Sequence, residues 1–379
     1  MKTNRTFSSS IIRSLLALTL GGVTLVTLTR CTTKSLRNTT IQSAKSPSEV
    51  SIMTYNVENL FDDQHDKNRE DFTFLPLAMK KKPEVQKYCA SQKSYYQKEC
   101  YELDWNDTTV KKKLHNIAEV ILSVDDHKGP DILFMEEVEN KHILGELNHQ
   151  YLQVAHYKTQ VLIEGPDKRG IDVALLSRLP LDGKPVLHKI PYVGATPEDQ
   201  KWMNRSRGIL EVPLKLPNGS KLIALVAHFP AQMNPRYWRA QSVEFAQKLM
   251  AEHPDDMVVF GGDLNISADE DETTGFVSKK LASSGLVTHL VGCSSCDGTV
   301  NYRGDWSFFD MLVFSKNFGK KGTAPYTLET QNIDVVRYTP NQVYKGNTPR
   351  RFHTDTGEGA SDHFPVYARI QLRSAAQAQ

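Results

Sequence analysis

Charge of one sign, cysteine and long apolar runs are all scarce in this sequence, and each shortage excludes something. The 379 residues carry 46 basic and 44 acidic side chains, a formal net charge of +2. Lys2, Arg5, Arg13 and Arg30 fall in a first thirty residues that hold no acid, so the remainder is slightly acidic. No global positive field draws this protein to nucleic acid, and an anionic substrate must be held by local groups. Five cysteines include one Cys-x-x-Cys, Cys293 and Cys296. The second pair that a zinc site needs is missing, and no thioredoxin-like context surrounds the first. The long apolar run is Leu15 to Leu28, which follows three basic residues and is rich in Thr and Gly. It is short for a spanning helix and suits the apolar core of a signal peptide, with an uncleaved N-terminal anchor as the rival. No internal repeat is found.

What remains is ordinary for a globular protein with a sizeable core: 39% apolar and 24% charged. We divide the chain into a signal peptide or anchor (1–30), a Ser/Thr/Lys-rich flexible linker (31–48), one folded domain (49–372) and a tail (373–379). Leu28-Thr-Arg-Cys31 resembles a bacterial lipoprotein cleavage box, which implies a lipidated Cys31 and membrane attachment, although Arg30 stands where that box has a small residue. The expected location is exported, periplasmic or extracellular. Cys89, Cys100, Cys293 and Cys296 make an even count, and pairing of sequence neighbours gives 89–100 and 293–296.

The most informative stretch is Val258-Val-Phe-Gly-Gly-Asp-Leu-Asn-Ile-Ser267, an apolar strand that ends in a carboxylate and an amide two residues apart. Side chains at i and i+2 of a strand face the same way, so Asp263 and Asn265 are expected to address one ligand. The same residues also form ordinary turns. Asn56 and Glu58 repeat the pair in reverse order at the end of a strand over 50–57. Pro130 to Val138 reads as a buried strand ending in Glu136 and Glu137, and alternation does not say which acid faces a site. A strand over 222–230 carries His228 near its end, where a hydrogen-bonded core histidine is the plainer reading. Asp305 to Ser315 is expected to hold Asp310 inside an apolar strand, where a buried acid needs a partner. Asp362 and His363 precede the closing strand.

Apolar positions 114, 117, 118, 121 and 122 predict a helix, and a second is expected over 237–251 with Arg239 in its first turn. Residues 62–110, with Lys80-Lys-Lys82 and several tyrosines, read as a solvated excursion rather than a substrate-facing flap. Acids and amides at strand ends, with few cysteines, suit Mg²⁺, Mn²⁺ or Ca²⁺. Such an ion polarises a phosphoryl oxygen while a His or Asp takes a proton from the attacking water.

Tyr55-Asn-Val-Glu58, Met135-Glu-Glu-Val138, Gly262-Asp-Leu-Asn265, Phe309-Asp-Met-Leu312 and Ser361-Asp-His363 occur in the order typical of the endonuclease/exonuclease/phosphatase superfamily, which the chain resembles over residues 50–372. Asn56-Val-Glu-Asn-Leu-Phe61 and Arg169-Gly-Ile-Asp-Val-Ala-Leu175 look like a bacterial, often exported branch. The resemblance implies an α/β, four-layered sandwich of two stacked mixed sheets flanked by helices (DNase I-like), with the site at one end. It implies metal binding by Glu58, Glu137 and Asp362, supported by Asn56. It implies that Asp263 and Asn265 position water and phosphate, that His363 is catalytic and oriented by Asp310, and that His228 matches a histidine of DNase-like members. Whether Asp263 or His363 is the base stays open. Glu136 stands where the family usually has Gln. The Trp-Cys-Asp-Arg phrase of inositol phosphatases and the sphingomyelinase hairpin are both missing. The leading expectation is an exported, metal-dependent phosphodiesterase, most simply a nuclease acting on DNA or RNA, with Arg169, Arg207, Arg239, Arg350 and Arg351 as local phosphate contacts and no obligate protein partner. A phosphatase or phospholipase C-type enzyme on a small phosphoester or lipid headgroup is the alternative, and a non-catalytic binding module is a third.

Overall fold

The computed structural model describes residues 39–374. The expected signal peptide or anchor, Cys31 with its cleavage box, and residues 375–379 of the expected tail lie outside the described residues.

Strands β1 (Glu49–Leu60), β2 (Ile132–Val138), β3 (Thr159–Leu162) and β4 (Asp172–Ser177) come first. Then follow β5 (Val186–His188), β6 (Ile209–Lys215), β7 (Lys221–His228), β8 (Met257–Asp263) and β9 (Gly285–Val287). A separate hairpin pairs β10 (Val300–Tyr302) with β11 (Asp305–Ser307). The last are β12 (Asp310–Ser315), β13 (Tyr326–Leu328), β14 (Asp334–Val335) and β15 (Val366–Leu372). One sheet runs β13-β15-β1-β2-β4-β3 with β14 also on β15, and the other runs β5-β6-β7-β8-β12-β9. Each sheet has one parallel pair at its centre, β1–β2 and β7–β8, among antiparallel neighbours. A parallel pair needs a crossover. The helices Asp107–Ile121 and Arg236–Ala251 lie on those two crossovers.

Period-two alternation decides the layers. Val50 and Ile52 of β1, Ile132 and Phe134 of β2, Leu222, Ala224 and Val226 of β7, and Met257 and Val259 of β8 share one core between the sheets. The opposite residues of the first sheet, Met53, Tyr55, Leu133 and Met135, pack with Leu114, Ile117 and Ile121 of the first crossover helix. Those of the second sheet, Ile223, Leu225, Val258 and Phe260, pack with Val243, Ala246 and Leu249 of the other helix. The result is the four-layered α/β sandwich that the motifs imply.

Three local expectations change. The described part of the expected linker, 39–48, is docked: Ile41, an aliphatic side chain in a polar stretch, is buried, and its carbonyl accepts from the Asp125 amide at 2.9 Å. Residues 62–110 contain two short helices, Pro83–Ser91 and Ser94–Glu102, joined by a Cys89–Cys100 disulfide over a small core that includes Leu75 and Val85. Lys80 is buried there and donates to the Thr73 and Cys100 carbonyls, so that part of the basic run is structural. Cys293 and Cys296 form the second disulfide, as expected from their proximity. Finally, Asp305–Ser315 is two strands rather than one, and Asp310 opens β12 instead of lying within it.

Candidate active site

The inter-sheet face stays apolar along the central strands until their last rungs, where it turns polar. Thr54 and Asn56 of β1, Glu136 of β2, His228 of β7, Asp263 of β8 and Asp310 of β12 continue the inward-facing positions and are all buried. Asn56 is paired with Glu136, and Asp263 is flanked by His228 on one side and Asp310 on the other. Residues paired across neighbouring strands share a face, so the two central strand pairs bring their ends to one place. Asn56 Nδ2 crosses the gap between the sheets and donates to Asp263 Oδ2 at 2.9 Å.

The backbone is bent to build this rung. Gly262 has φ +134°, and a Cβ there would meet the Ala227 carbonyl oxygen at 1.8 Å. Only glycine lets β8 run so close to β7 just before Asp263. Glu58, Asn59, Glu137 and Asn265 all have φ between 51° and 66°, a left-handed region that side chains other than glycine seldom occupy. Such strain concentrates at functional sites. It also overturns the simple i, i+2 argument. The β1–β2 register shifts between Asn56 and Leu60, so Asn56 turns to Asp263 while Glu58 turns to Arg351. Asn265 follows the end of β8, donates its backbone N–H to Asp263 Oδ1 at 2.8 Å and turns its side chain to the Phe229 carbonyl at 3.2 Å. A second register shift, between Glu136 and Val138, answers the question that alternation left open. Glu136 points between the sheets and accepts from Thr54 Oγ1 at 2.9 Å, whereas Glu137 accepts from the Asn59 amide at 2.9 Å and lies 3.4 Å from Asn56 Nδ2.

Asp263, Asp310 and His363 each offer a ligand atom within 4.8 Å of the others. His363 Nδ1 is 2.8 Å from Asp310 Oδ2, which leaves Nε2 facing Asp263 at 3.8 Å and Asp362 at 3.9 Å. The Ser361 hydroxyl accepts from the His363 amide and donates to the Asn56 carbonyl, and this ties the histidine turn to β1. Thr299 accepts from the backbone N–H groups of Phe309 and Asp310 and so fixes the orienting acid. Burial opposes a charge on His363, but the Asp310 and Asp263 carboxylates outweigh it and hold its pKa well above the ordinary value. His228 goes the other way. Burial first, then the nearby Arg207 and His363 charges, push its pKa well below the ordinary value. Its Nε2 lies 3.4 Å from Asp263 Oδ2 and its buried Nδ1 has no partner. Asp263 is pushed up to about 7, chiefly by burial and against the His363 charge. Two histidines pushed apart in pKa, around a carboxyl poised near neutrality, is how a fold assigns acid and base roles.

Glu58 sits on the adjoining side. Arg351 Nε lies 2.6 Å from Oε1, the Phe352 amide donates to Oε2 at 3.0 Å, and the fully buried Lys113 Nζ lies 4.0 Å away. Arg351 also reaches Asp362 at 3.7 Å. Despite two cations, burial and the Asp362 charge hold Glu58 up to about 7. Among the described residues, Glu58, Glu137 and Asp362 do not form a ready three-carboxylate cluster. Their oxygen donors, with Asn56, are nevertheless the donor set that a hard divalent cation takes, once Glu58 exchanges Arg351 for the ion.

Several residues escaped the sequence reading. Lys113 falls on the buried face of its helix, four residues from Ile117, and that spacing was the available signal. Thr299 and the inward position of Glu136 had no local signal. The expected phosphate-facing arginines are largely committed elsewhere. Arg239 is buried, donates to Glu270 at 2.9 Å and binds the Pro230 and Ala231 carbonyls. Arg207 and Arg169 flank Asp167, Arg350 pairs with Glu358, and Arg351 pairs with Glu58.

A family described as "Endonuclease/Exonuclease/phosphatase family" matches residues 91–372. No curated protein matches the chain in sequence. Solved structures similar to it include truncated Caenorhabditis elegans TDP2, at 17% identity over 86% of this chain and 98% of that one, TM-score 0.47. An endonuclease/exonuclease/phosphatase from Bacteroides vulgatus is 13% identical over 87% of this chain and all of that one, TM-score 0.49. Danio rerio TDP2 complexed with single-strand DNA product is 16% identical over 86% of this chain and all of that one, TM-score 0.43.

Proposed function

Because the chain belongs to the endonuclease/exonuclease/phosphatase family, a family of phosphoester hydrolases, we propose that it is an exported phosphodiesterase that cleaves nucleic acid by in-line attack of water. One observation carries this reading: a carboxyl poised near neutrality, Asp263, lies 3.8 Å from a histidine held positive by Asp310. A base and a cationic donor in contact are what hydrolysis of an anionic diester needs.

Asp263 takes the proton of the attacking water. Asn56 Nδ2 and the Asn265 backbone N–H donate to its carboxylate and hold it in place, with the neutral His228 ring beside it. His363 presents a charged Nε2–H to a phosphoryl oxygen and stabilises the charge that grows there. The second amide hydrogen of Asn265 serves the same phosphate, its first being used on Phe229. Asn56, Glu58, Glu137 and Asp362 would hold a divalent ion, Mg²⁺ by preference. Bound there, it would polarise the phosphate and offset charge on the leaving oxygen. Two disulfides support an oxidising compartment.

The test is a panel of labelled single-stranded DNA, duplex DNA and RNA, with bis(4-nitrophenyl) phosphate, phosphomonoesters and sphingomyelin beside them. We expect EDTA-sensitive cleavage of a nucleic acid and at least a hundredfold loss in Asp263→Asn, in line with removal of a general base, about 10²–10⁴-fold. Hydrolysis of monoesters or lipid with no nucleic-acid cleavage would replace the nuclease reading with the phosphatase or phospholipase one.

A further inference from the structure

The β10–β11 hairpin belongs to neither sheet, yet it is rooted in the site. Thr299, the residue before β10, accepts from the Asp310 amide, and its own carbonyl accepts from the Phe364 amide next to His363. Trp306 of β11 lies along Phe364 with ring centroids 6.2 Å apart, and Phe309, just past the hairpin, lies 6.3 Å from the His363 ring. The Ser307 hydroxyl accepts from the Ala268 amide, three residues beyond Asn265. The base of the hairpin therefore stands beside the histidine and the amide assigned to the scissile phosphate.

The tip has a different chemistry. Tyr302 is 69% exposed, a large aromatic surface given to water. Arg303 lies over its ring at 5.2 Å, and among the described residues Arg303 makes no ion pair. The turn is closed by the Gly304 amide on Asn301 Oδ1 at 3.1 Å, with Arg303 and Gly304 both left-handed. The arginines read from sequence as phosphate contacts are paired with carboxylates, whereas this unremarked one is free and carries an aromatic partner.

We propose that the hairpin tip is a subsite for an unpaired nucleotide flanking the scissile phosphate, in which Tyr302 stacks on the base and Arg303 meets a backbone phosphate. The proposal rests on the nuclease reading and narrows it to single-stranded nucleic acid. An exposed ring can stack on a base whose face is free, and bases inside a duplex offer no free face. Every base has a stacking face, so the subsite carries little sequence preference.

The experiment compares the full mature protein with Tyr302→Ala, Tyr302→Trp and Arg303→Ala. Each is assayed with a labelled single-stranded oligonucleotide, the same strand in a duplex, and bis(4-nitrophenyl) phosphate. In the Tyr302→Ala protein the ratio of kcat/KM on the single strand to that on the small diester is expected to fall about tenfold or more, the loss of one stacked base. The change should lie in KM, and Tyr302→Trp, which keeps a stacking ring, should hold the wild-type ratio. Arg303→Ala should also raise KM and flatten its dependence on salt. Melting temperatures equal to wild type will show that the exposed substitutions leave the fold intact. If wild type cleaves the single strand and Tyr302→Ala and Arg303→Ala both keep that ratio within twofold, the subsite is refuted and the nuclease reading stands. A wild type that prefers duplex also refutes it. If wild type hydrolyses the small diester and no nucleic acid, the nuclease reading fails, and the subsite with it.

Discussion

Replacing Asp310 with Asn tests the electrostatic core of the site while changing almost no volume. Asp310 is fully buried, accepts from His363 Nδ1 at 2.8 Å through Oδ2, and leaves Oδ1 without a partner. An Asn side chain can present its carbonyl oxygen to the same ring N–H, so geometry is kept and charge is lost. A hydrogen bond between neutral groups contributes about 1 kcal/mol and one to a charged group about 1.5–3 kcal/mol. The weakened bond alone therefore costs the imidazolium about 1 kcal/mol. Coulomb's law at an effective dielectric of about 20 sets a ceiling of roughly 4 kcal/mol for two charges about 4 Å apart. The His363 pKa should therefore fall, because the carboxylate that raises it most is gone. Losing the cationic donor over part of the pH range should lower kcat/KM by about 10²–10⁴-fold at neutral pH. Loss of Asp310's repulsion tends to lower the Asp263 pKa, while a more neutral His363 tends to raise it, so the profile should be read as that of a coupled pair. NMR titration of the His363 Cε1–H, with kcat/KM against pH, supplies both readouts. An unchanged His363 titration in a folded Asp310→Asn protein would falsify this account.

Other consequences can be checked on the free protein. Asp172 is buried and pushed up to about 7 by burial, so the native state keeps a proton that the unfolded chain releases near pH 4. A raised folded pKa stabilises at low pH and is lost as pH rises through the folded value, so between about pH 4 and 7 wild type should lose about 1.4 kcal/mol per pH unit from this group. Asp172→Asn should lack that slope in urea titrations at pH 5 and 7, and parallel slopes would refute the assignment. Arg239→Met leaves the buried Glu270 with only Gln232 and the more distant, half-exposed Arg236, and frees the carbonyls of Pro230 and Ala231. Guanidinium unfolding should show a loss of about 3–5 kcal/mol, the cost of breaking one side of a buried pair. Gly262→Ala forces a Cβ onto the Ala227 carbonyl at 1.8 Å. We expect it to disrupt the β7–β8 pair and abolish soluble expression or activity, and a fully active, equally stable variant would contradict the packing.

Much of this protein is written in local pattern. The apolar runs of β1, β2, β7, β8 and β12 mark strands buried on both faces, and strand parity carries the inter-sheet positions one rung further to Asn56, His228, Asp263 and Asp310. The sequence thus determined the strands, both disulfides and the identity of the acids, amides and histidines, because spacing is a property of neighbouring residues, while the layered fold was implied by the resemblance that its ordered motifs carry. What it left undetermined depends on residues far apart in the chain. Whether Glu136 or Glu137 reaches the mouth turns on a register shift against β4. Arg239 looked like a phosphate ligand until Glu270 was brought beside it. Lys113 and Arg351 are 238 residues apart and meet only around Glu58. The opposite charge states of His228 and His363 belong to neither residue alone. They arise because burial taxes both rings, while His363 is compensated by two carboxylates delivered from β8 and β12. Tertiary structure decides such properties because burial and Coulomb energy depend on distance in space, which spacing along the chain does not encode.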